Sequence, residues 1–243
     1  MIVAAAGGPV IPTFGSGSGS FACERANRLF CPGWVSRNWS SVLWPALVQH
    51  IVLTLIAVSI GFVLSMALAL VAYRRRWLER PVLIVTSILY TIPSLALFEL
   101  LVAPVGQNVF AAEIALVSYT LLILFRNTLT GLREVPAEVR DAAAGMGMGP
   151  TQSLLRVEIP LALPAIIAGL RIATVTVISL ATVASLIDNE GLGVPILTAI
   201  SNEVFKTELI VAGGMAVLLA LAADALLVLA QRALTPWTRV KAA

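Results

Sequence analysis

The chain has 243 residues, of which 59% are hydrophobic and only 12% charged, with a mean hydropathy of +0.95 and a formal net charge of +3. An average soluble domain carries about 25% charged residues, so this composition excludes a water-soluble protein of this size. The apolar residues fall in long blocks, as membrane-crossing helices require. No Lys/Arg stripe with interleaved aromatics is present, which argues against a nucleic-acid partner. Two cysteines, Cys23 and Cys31, and one histidine, His50, provide no zinc-ligand spacing.

In chain order, residues 1–40 read as an extracytoplasmic N-terminal extension and 41–243 as a transmembrane domain. The start is small, apolar and Gly/Ser-rich, without the basic region and compact apolar core of a signal peptide. Gly15 to Ser20 reads as a flexible linker. Cys23 and Cys31 would face an oxidising compartment, where their spacing permits a disulfide without demanding one.

Five apolar blocks follow: Ala46 to Tyr73, Pro81 to Val105, Ala111 to Phe125, Leu163 to Leu186 and Glu208 to Ala230. Four are long enough for a membrane span, and Ala111 to Phe125, the weakest, with Glu113 near its start, is shorter but plausible as a fifth. The second is interrupted at Thr91-Ile92-Pro93-Ser94. A hairpin there would make a sixth span and spoil the charge balance; five is the expected count.

Between the third and fourth blocks lies the only long polar stretch of the membrane domain, 126–160. Arg74, Arg75, Arg76 and Arg80 follow the first block; Arg126, Arg133, Arg140 and Arg156 occupy the long loop; Arg232, Arg239 and Lys241 lie in the C-terminal tail. Five spans put these three groups on one side. The positive-inside rule then predicts a cytoplasmic loop and C-terminus and an outer N-terminus.

Within the loop, Pro136 suits the first turn of a helix, and Glu134 and Glu138 favour that helix's N-terminus. Ala137 to Ala144 predict a short helix with a face of small residues. Gly145, Gly147 and Gly149 end it, Pro150 starts a new turn, and Gln152 to Val157 begin a second helix. Ile159-Pro160 and Leu163-Pro164 are expected to direct the chain back into the membrane. Such a helix, held at the membrane surface, suits docking into a groove of another protein, and nothing in it can do chemistry.

Asp141-Ala142-Ala143, Gly147, Val157 and Ile159-Pro160 resemble the EAA motif of ABC importer permeases, with Asp141 in place of Glu and Val157 and Ile159 in place of Ile and Leu. The resemblance implies the binding-protein-dependent, MetI-like family. Its fold is that of a type I ABC importer permease, all-α and integral to the membrane, with about five transmembrane helices. It also implies that Asp141, Ala142, Ala143, Gly145, Gly147, Val157 and Pro160 couple to an ATPase. Tyr90-Thr91-Ile92-Pro93-Ser94-Leu95-Ala96-Leu97 is similar to the second-helix motif of the osmoprotectant group, whose solutes are glycine betaine, carnitine, choline and proline. Arg126-Asn127-Thr128, Gly131-Leu132, Gly145 to Met148 and Glu190 to Gly193 resemble the same group, although Asp188-Asn189-Glu190 departs from its uncharged, Gly-rich turn.

The implied partners are a cytoplasmic ABC ATPase dimer, a second permease chain, identical or paralogous, an extracytoplasmic substrate-binding protein and membrane lipid. The implied location is the plasma or inner membrane of a prokaryote. No phosphate loop of the form GxxxxGK[ST] is present, so no cofactor is expected in this chain, ATP and magnesium being bound by the partner. The expected mechanism is alternating access, with no catalytic residue here.

Individual residues carry alternatives. Tyr90, Thr91, Ile92, Pro93 and Ser94 are expected on the translocation path, since a proline that frees carbonyls at membrane depth needs protein or a cavity around them; a packing kink is the alternative. Arg171 is either functional or snorkels to the interface, and Asp224 reads as interfacial. Glu99 and Glu113 read as solvated at outer helix ends or as helping to face the binding protein. Tyr90, Tyr119 and Phe98 could meet a quaternary ammonium or simply pack. Rival functions are a methionine- or phosphonate-type importer permease, a proton-coupled secondary transporter, which would need paired buried acids or inverted repeats, and an intramembrane enzyme, for which no HExxH, GxSxG or paired intramembrane aspartates appear.

Overall fold

In the computed structural model, residues 22–202 and 204–237 are described. The Gly15 to Ser20 linker and the basic Arg239 and Lys241 lie outside the described residues. Among the described residues there is no strand. Two short helices, α1 (Ala22–Arg25) and α2 (Pro32–Asn38), lead through a wide turn at Trp39–Leu43 into α3 (Trp44–Arg74). Then come α4 (Glu79–Thr91), α5 (Ser94–Val105) and α6 (Val109–Arg133). The polar stretch holds α7 (Ala137–Gly145) and α8 (Pro150–Ser153). The chain ends with α9 (Ile159–Asp188), α10 (Gly193–Ser201) and α11 (Lys206–Leu234).

Among the described residues, four helical runs are long and apolar enough to cross a membrane: Pro32–Arg74, Val109–Arg133, Pro150–Asp188 and Lys206–Leu234. The bent pair α4 and α5 makes a fifth if counted as one span. The first run begins at Pro32, where the pyrrolidine needs no donor partner, and crosses residue 40 without a break.

Helix α6 is the centre of the bundle and packs against both α3 and α9. It starts cleanly because the Asn108 side chain accepts the Ala111 N–H at 3.0 Å, a cap worth about 1 kcal/mol. Its buried face includes the small residues Ala111, Ala112, Ala115 and Gly131, which suits bundles where lipid supplies no hydrophobic drive and backbones must approach closely. Gly131 meets Ala162 and Ala165 of α9, and Gly169 of α9 meets Asn127. At Gly61 of α3, a Cβ would lie 1.8 Å from the Thr120 hydroxyl oxygen.

The second apolar block is interrupted at the expected place, and sharply: α4 and α5 meet at 98°. One expectation changes, since the chain is not redirected at Ile159-Pro160 or Leu163-Pro164. Pro150 to Asp188 runs as one span, its helix starting at Pro150 rather than Gln152. The physical reason lies in the wide turn at Leu154–Glu158, where the Ile159 N–H reaches back to the Leu154 carbonyl. That turn ends just before Pro160, which then sits in the first turn of α9 and breaks no existing bond.

Near its other end the bundle is closed by the N-terminal segment. Cys23 and Cys31 are joined by a disulfide, which settles that alternative. Arg37 pairs with Glu24. The Asn27 carboxamide accepts the Lys206 N–H at 2.9 Å and donates to the Val204 carbonyl at 3.1 Å, while the Thr207 hydroxyl donates to the Arg28 carbonyl at 2.8 Å. Trp34 packs edge-on against Phe205. The start of α11 is thus tied to this loop.

Candidate functional site

The predicted residues fall in two separate places, one at the end of the bundle where the long loop lies and one at the break between α4 and α5. At the loop end, α7 begins after Pro136 and carries Glu138 in its first turn. It stops through paired reverse bonds: the Met148 N–H reaches the Ala143 carbonyl at 3.1 Å and the Gly147 N–H reaches the Ala144 carbonyl at 2.9 Å. This Schellman arrangement needs a residue with positive φ, and Gly147 supplies it at φ +83°. Ala143 is buried, whereas Asp141, Ala142, Ala144 and Gly145 are exposed. Met146, at the tip, is 70% exposed, an apolar side chain offered outward. Val157 and Pro160 are half-buried beneath.

The base of the loop is held by residues that pattern reading missed. The Tyr73 hydroxyl at the end of α3 donates to Glu158, whose other carboxylate oxygen accepts the Ser153 hydroxyl at 3.0 Å. Arg140 of α7 reaches the Tyr73 oxygen at 3.4 Å, and Arg74 donates to the Thr151 hydroxyl at 3.0 Å. Arg133 pairs with Glu79 at 2.5 Å. The long loop is therefore tied to the end of α3, and the end of α6 to the start of α4. The sequence separation of Tyr73 from Glu158 hides this tie from any local pattern.

At the second place, Tyr90 and Thr91 end α4, Ile92 and Pro93 lie between the helices, and Ser94 starts α5. Ile92 is extended, with ψ 128°, the backbone that a following proline favours. Its carbonyl, freed from the helical ladder, accepts the Tyr119 hydroxyl of α6 at 2.6 Å. Tyr119 also packs edge-on against Tyr90, with ring centroids 6.0 Å apart. The break is thus satisfied from α6, as backbone at membrane depth requires. Tyr119 is buried and Phe98 fully so, while Tyr90 stays 40% exposed; only Tyr90 of the three aromatics keeps a broad free face.

The remaining polar residues correct several expectations. Glu113 is not solvated: it is buried, and both its carboxylate oxygens lack a hydrogen-bond partner among the described residues. Glu99 is exposed. Arg171 and Asp224 are not independent interfacial charges, since they form a two-pronged ion pair between α9 and α11. His50 is fully buried. The Leu192 N–H donates to its Nδ1 at 3.2 Å, so Nε2 carries the proton and donates to the Ile178 carbonyl at 3.0 Å. Gln49 accepts the Gly191 N–H at 3.2 Å. The Asp188 to Gly193 turn, which departs from the uncharged pattern, is thereby locked to α3. Among the described residues no group of three or more His, Cys, Asp or Glu could hold a metal ion.

Known proteins agree with this architecture. The family model described as binding-protein-dependent transport system inner membrane component matches residues 61–240. The chain belongs to that family of membrane components. It is 35% identical over 189 residues to the choline transport system permease protein OpuBB of Bacillus subtilis, covering 77% of this chain and 86% of that protein. It is 38% identical over 194 residues to the osmoprotectant import permease protein OsmW of Salmonella typhimurium, covering 77% and 89%. Among solved structures, an inward-facing form of the MetNI methionine ABC transporter superposes with a TM-score of 0.72 at 19% identity, covering 82% of this chain and 98% of that one. That likeness speaks to the fold, which is the expected all-α permease fold.

Proposed function

We propose that this chain is the permease subunit of an ATP-driven importer for compatible solutes such as glycine betaine or choline, and that it moves them by alternating access. The observation that carries the proposal is the exposed α7 face, Asp141 and Ala142 with Gly145, ending at the fixed Gly147 turn and tied to the bundle through Arg140, Tyr73 and Glu158. With Val157 and Pro160 beneath it, this face is the docking element for a cytoplasmic ATPase dimer that binds ATP and magnesium. The names of the relatives favour an osmoprotectant solute. Tyr90 to Ser94 border the translocation route, where the Pro93 break bends the α4–α5 pair by 98°. A second permease chain and an extracytoplasmic binding protein complete the assembly.

The test is uptake by liposomes holding the permease with its ATPase. Labelled glycine betaine or choline should enter only with ATP on the ATPase side and binding protein on the other. The permease alone should hydrolyse no ATP. Uptake driven by a proton gradient without ATP would replace the proposal with secondary transport.

Orientation belongs to the same proposal, with the 126–160 loop cytoplasmic and the disulfide loop outside. Its support is the arginine distribution. Single cysteines at two exposed positions, Leu29→Cys and Glu138→Cys, should separate in intact cells. An impermeant thiol reagent is expected to label the first and spare the second. Labelling only Glu138→Cys would invert the topology.

A further inference from the structure

We propose that the Arg171–Asp224 ion pair is a recognition subsite for a zwitterionic solute on the translocation route, an assignment that rests on the importer function above. Arg171 Nε lies 2.7 Å from Asp224 Oδ1 and its terminal nitrogen 3.0 Å from Oδ2. Both residues sit well inside their helices, Arg171 being the only charge between Ile159 and Ile187. Yet 33% and 35% of the two side chains stay exposed. Charged side chains at such depth face protein or water rather than hydrocarbon, and mark substrate pathways.

The surrounding face carries hydroxyls among apolar side chains. Arg171, Val175, Ser179, Thr182 and Leu186 recur at helical spacing along one side of α9. Ser179 is exposed, and the Thr182 hydroxyl donates to the Ser179 carbonyl at 2.7 Å. The ion pair therefore closes one end of a hydroxyl-bearing track. Helix α5 packs on α9, so the Pro93 break borders the same helix.

The chemistry selects the ligand. A solute with a quaternary ammonium and a carboxylate is neutral overall, like the pair itself. Its carboxylate can take the planar guanidinium with two N–H bonds, while its ammonium lies against Asp224. Every charge then keeps an opposite neighbour, which a low-dielectric site demands. A cation without a carboxylate would leave Arg171 beside a like charge. The subsite thus favours the zwitterion over the simple cation.

The experiment uses the full transporter in liposomes with glycine betaine and choline as probes, and Arg171→Gln, Asp224→Asn and Arg171→Lys as variants. Each neutral variant should lower betaine uptake roughly tenfold, as expected for losing one charge-assisted partner, and should lower the betaine-to-choline ratio most in Arg171→Gln. Arg171→Lys keeps the ion pair but not the planar fork, so it should assemble normally and still raise the half-saturation for betaine. ATPase stimulation by loaded binding protein reports assembly. An unchanged betaine-to-choline ratio in Arg171→Lys overturns the subsite even if the neutral variants fail to fold. Equal loss of both solutes in all three variants overturns it in favour of a structural strut. If wild type carries neither betaine nor choline, the importer assignment fails and the subsite with it; if it carries choline but no betaine, the subsite alone fails. Wild-type betaine uptake with an unaltered ratio in the variants removes the subsite alone.

Discussion

Gly147→Val is expected to abolish solute uptake while leaving the membrane bundle folded. The residue sits at φ +83° and closes α7 through the two reverse bonds to Ala143 and Ala144. A β-branched residue at positive φ costs about 1–3 kcal/mol, and the turn can relieve that strain only by giving up those bonds. No atom lies within 4 Å of where a Cβ would stand, so the strain is local and the spans are untouched. The α7 face would then be misdirected relative to the ATPase groove. Gly149→Ala is the matched control, since Gly149 lies in the same loop, outside the docking face, with equally open space around it and an ordinary φ of -69°. Uptake and co-purification of the ATPase, measured together, decide the matter. Full uptake and full co-purification in Gly147→Val would mean that α7 is not the coupling element.

A second large effect is expected inside the bundle. Gly61→Ala places a methyl 1.8 Å from the Thr120 hydroxyl oxygen and 2.9 Å from its Cβ. The neighbour cannot simply turn away, because that hydroxyl is held on the Val117 carbonyl at 2.7 Å in the interior of α6. Overpacking typically costs about 1–3 kcal/mol, and a backbone-level approach between two spans should sit at the upper end. Thermal unfolding in detergent should show a clear drop in midpoint. Thr120→Ala, which removes the hydroxyl and methyl that cause most of the clash, should restore most of the loss in the double variant. A Gly61→Ala protein that melts like wild type would show that α3 and α6 do not approach so closely.

Much of this architecture is legible in the chain because length and apolarity alone set a span. All five blocks lie within the observed helices or the α4–α5 pair. The short loop helix α7 is equally legible, since Pro136, Gly147 and Pro150 are residues whose backbone limits are local. What local pattern cannot carry is a partner supplied from elsewhere. Pro93 announces a break but not a right angle, because the freed Ile92 carbonyl is received by Tyr119 from another helix. Pro160 looks like a redirecting residue until the wide turn before it is seen to spare the helix. Arg171 and Asp224 looked like two separate problems because their pairing spans 53 positions. Glu113 was misplaced for the opposite reason: nearness to a helix end says nothing about what packs over it. His50, a lone histidine with no ligand pattern, turned out to be a three-way brace between α3, α9 and the following turn.

The attachments of α11 have a mechanical consequence. Its leading end is fastened by the Asn27 and Arg28 bonds of the disulfide loop, and farther along it is fastened to α9 at Asp224. Two fastenings on one rod remove its freedom to slide lengthwise. They still allow it to swing about the fastened end. When the loop end of α9 is pulled sideways, α11 must therefore follow as a hinged strut, its far end at Leu234 sweeping the widest arc of the helix.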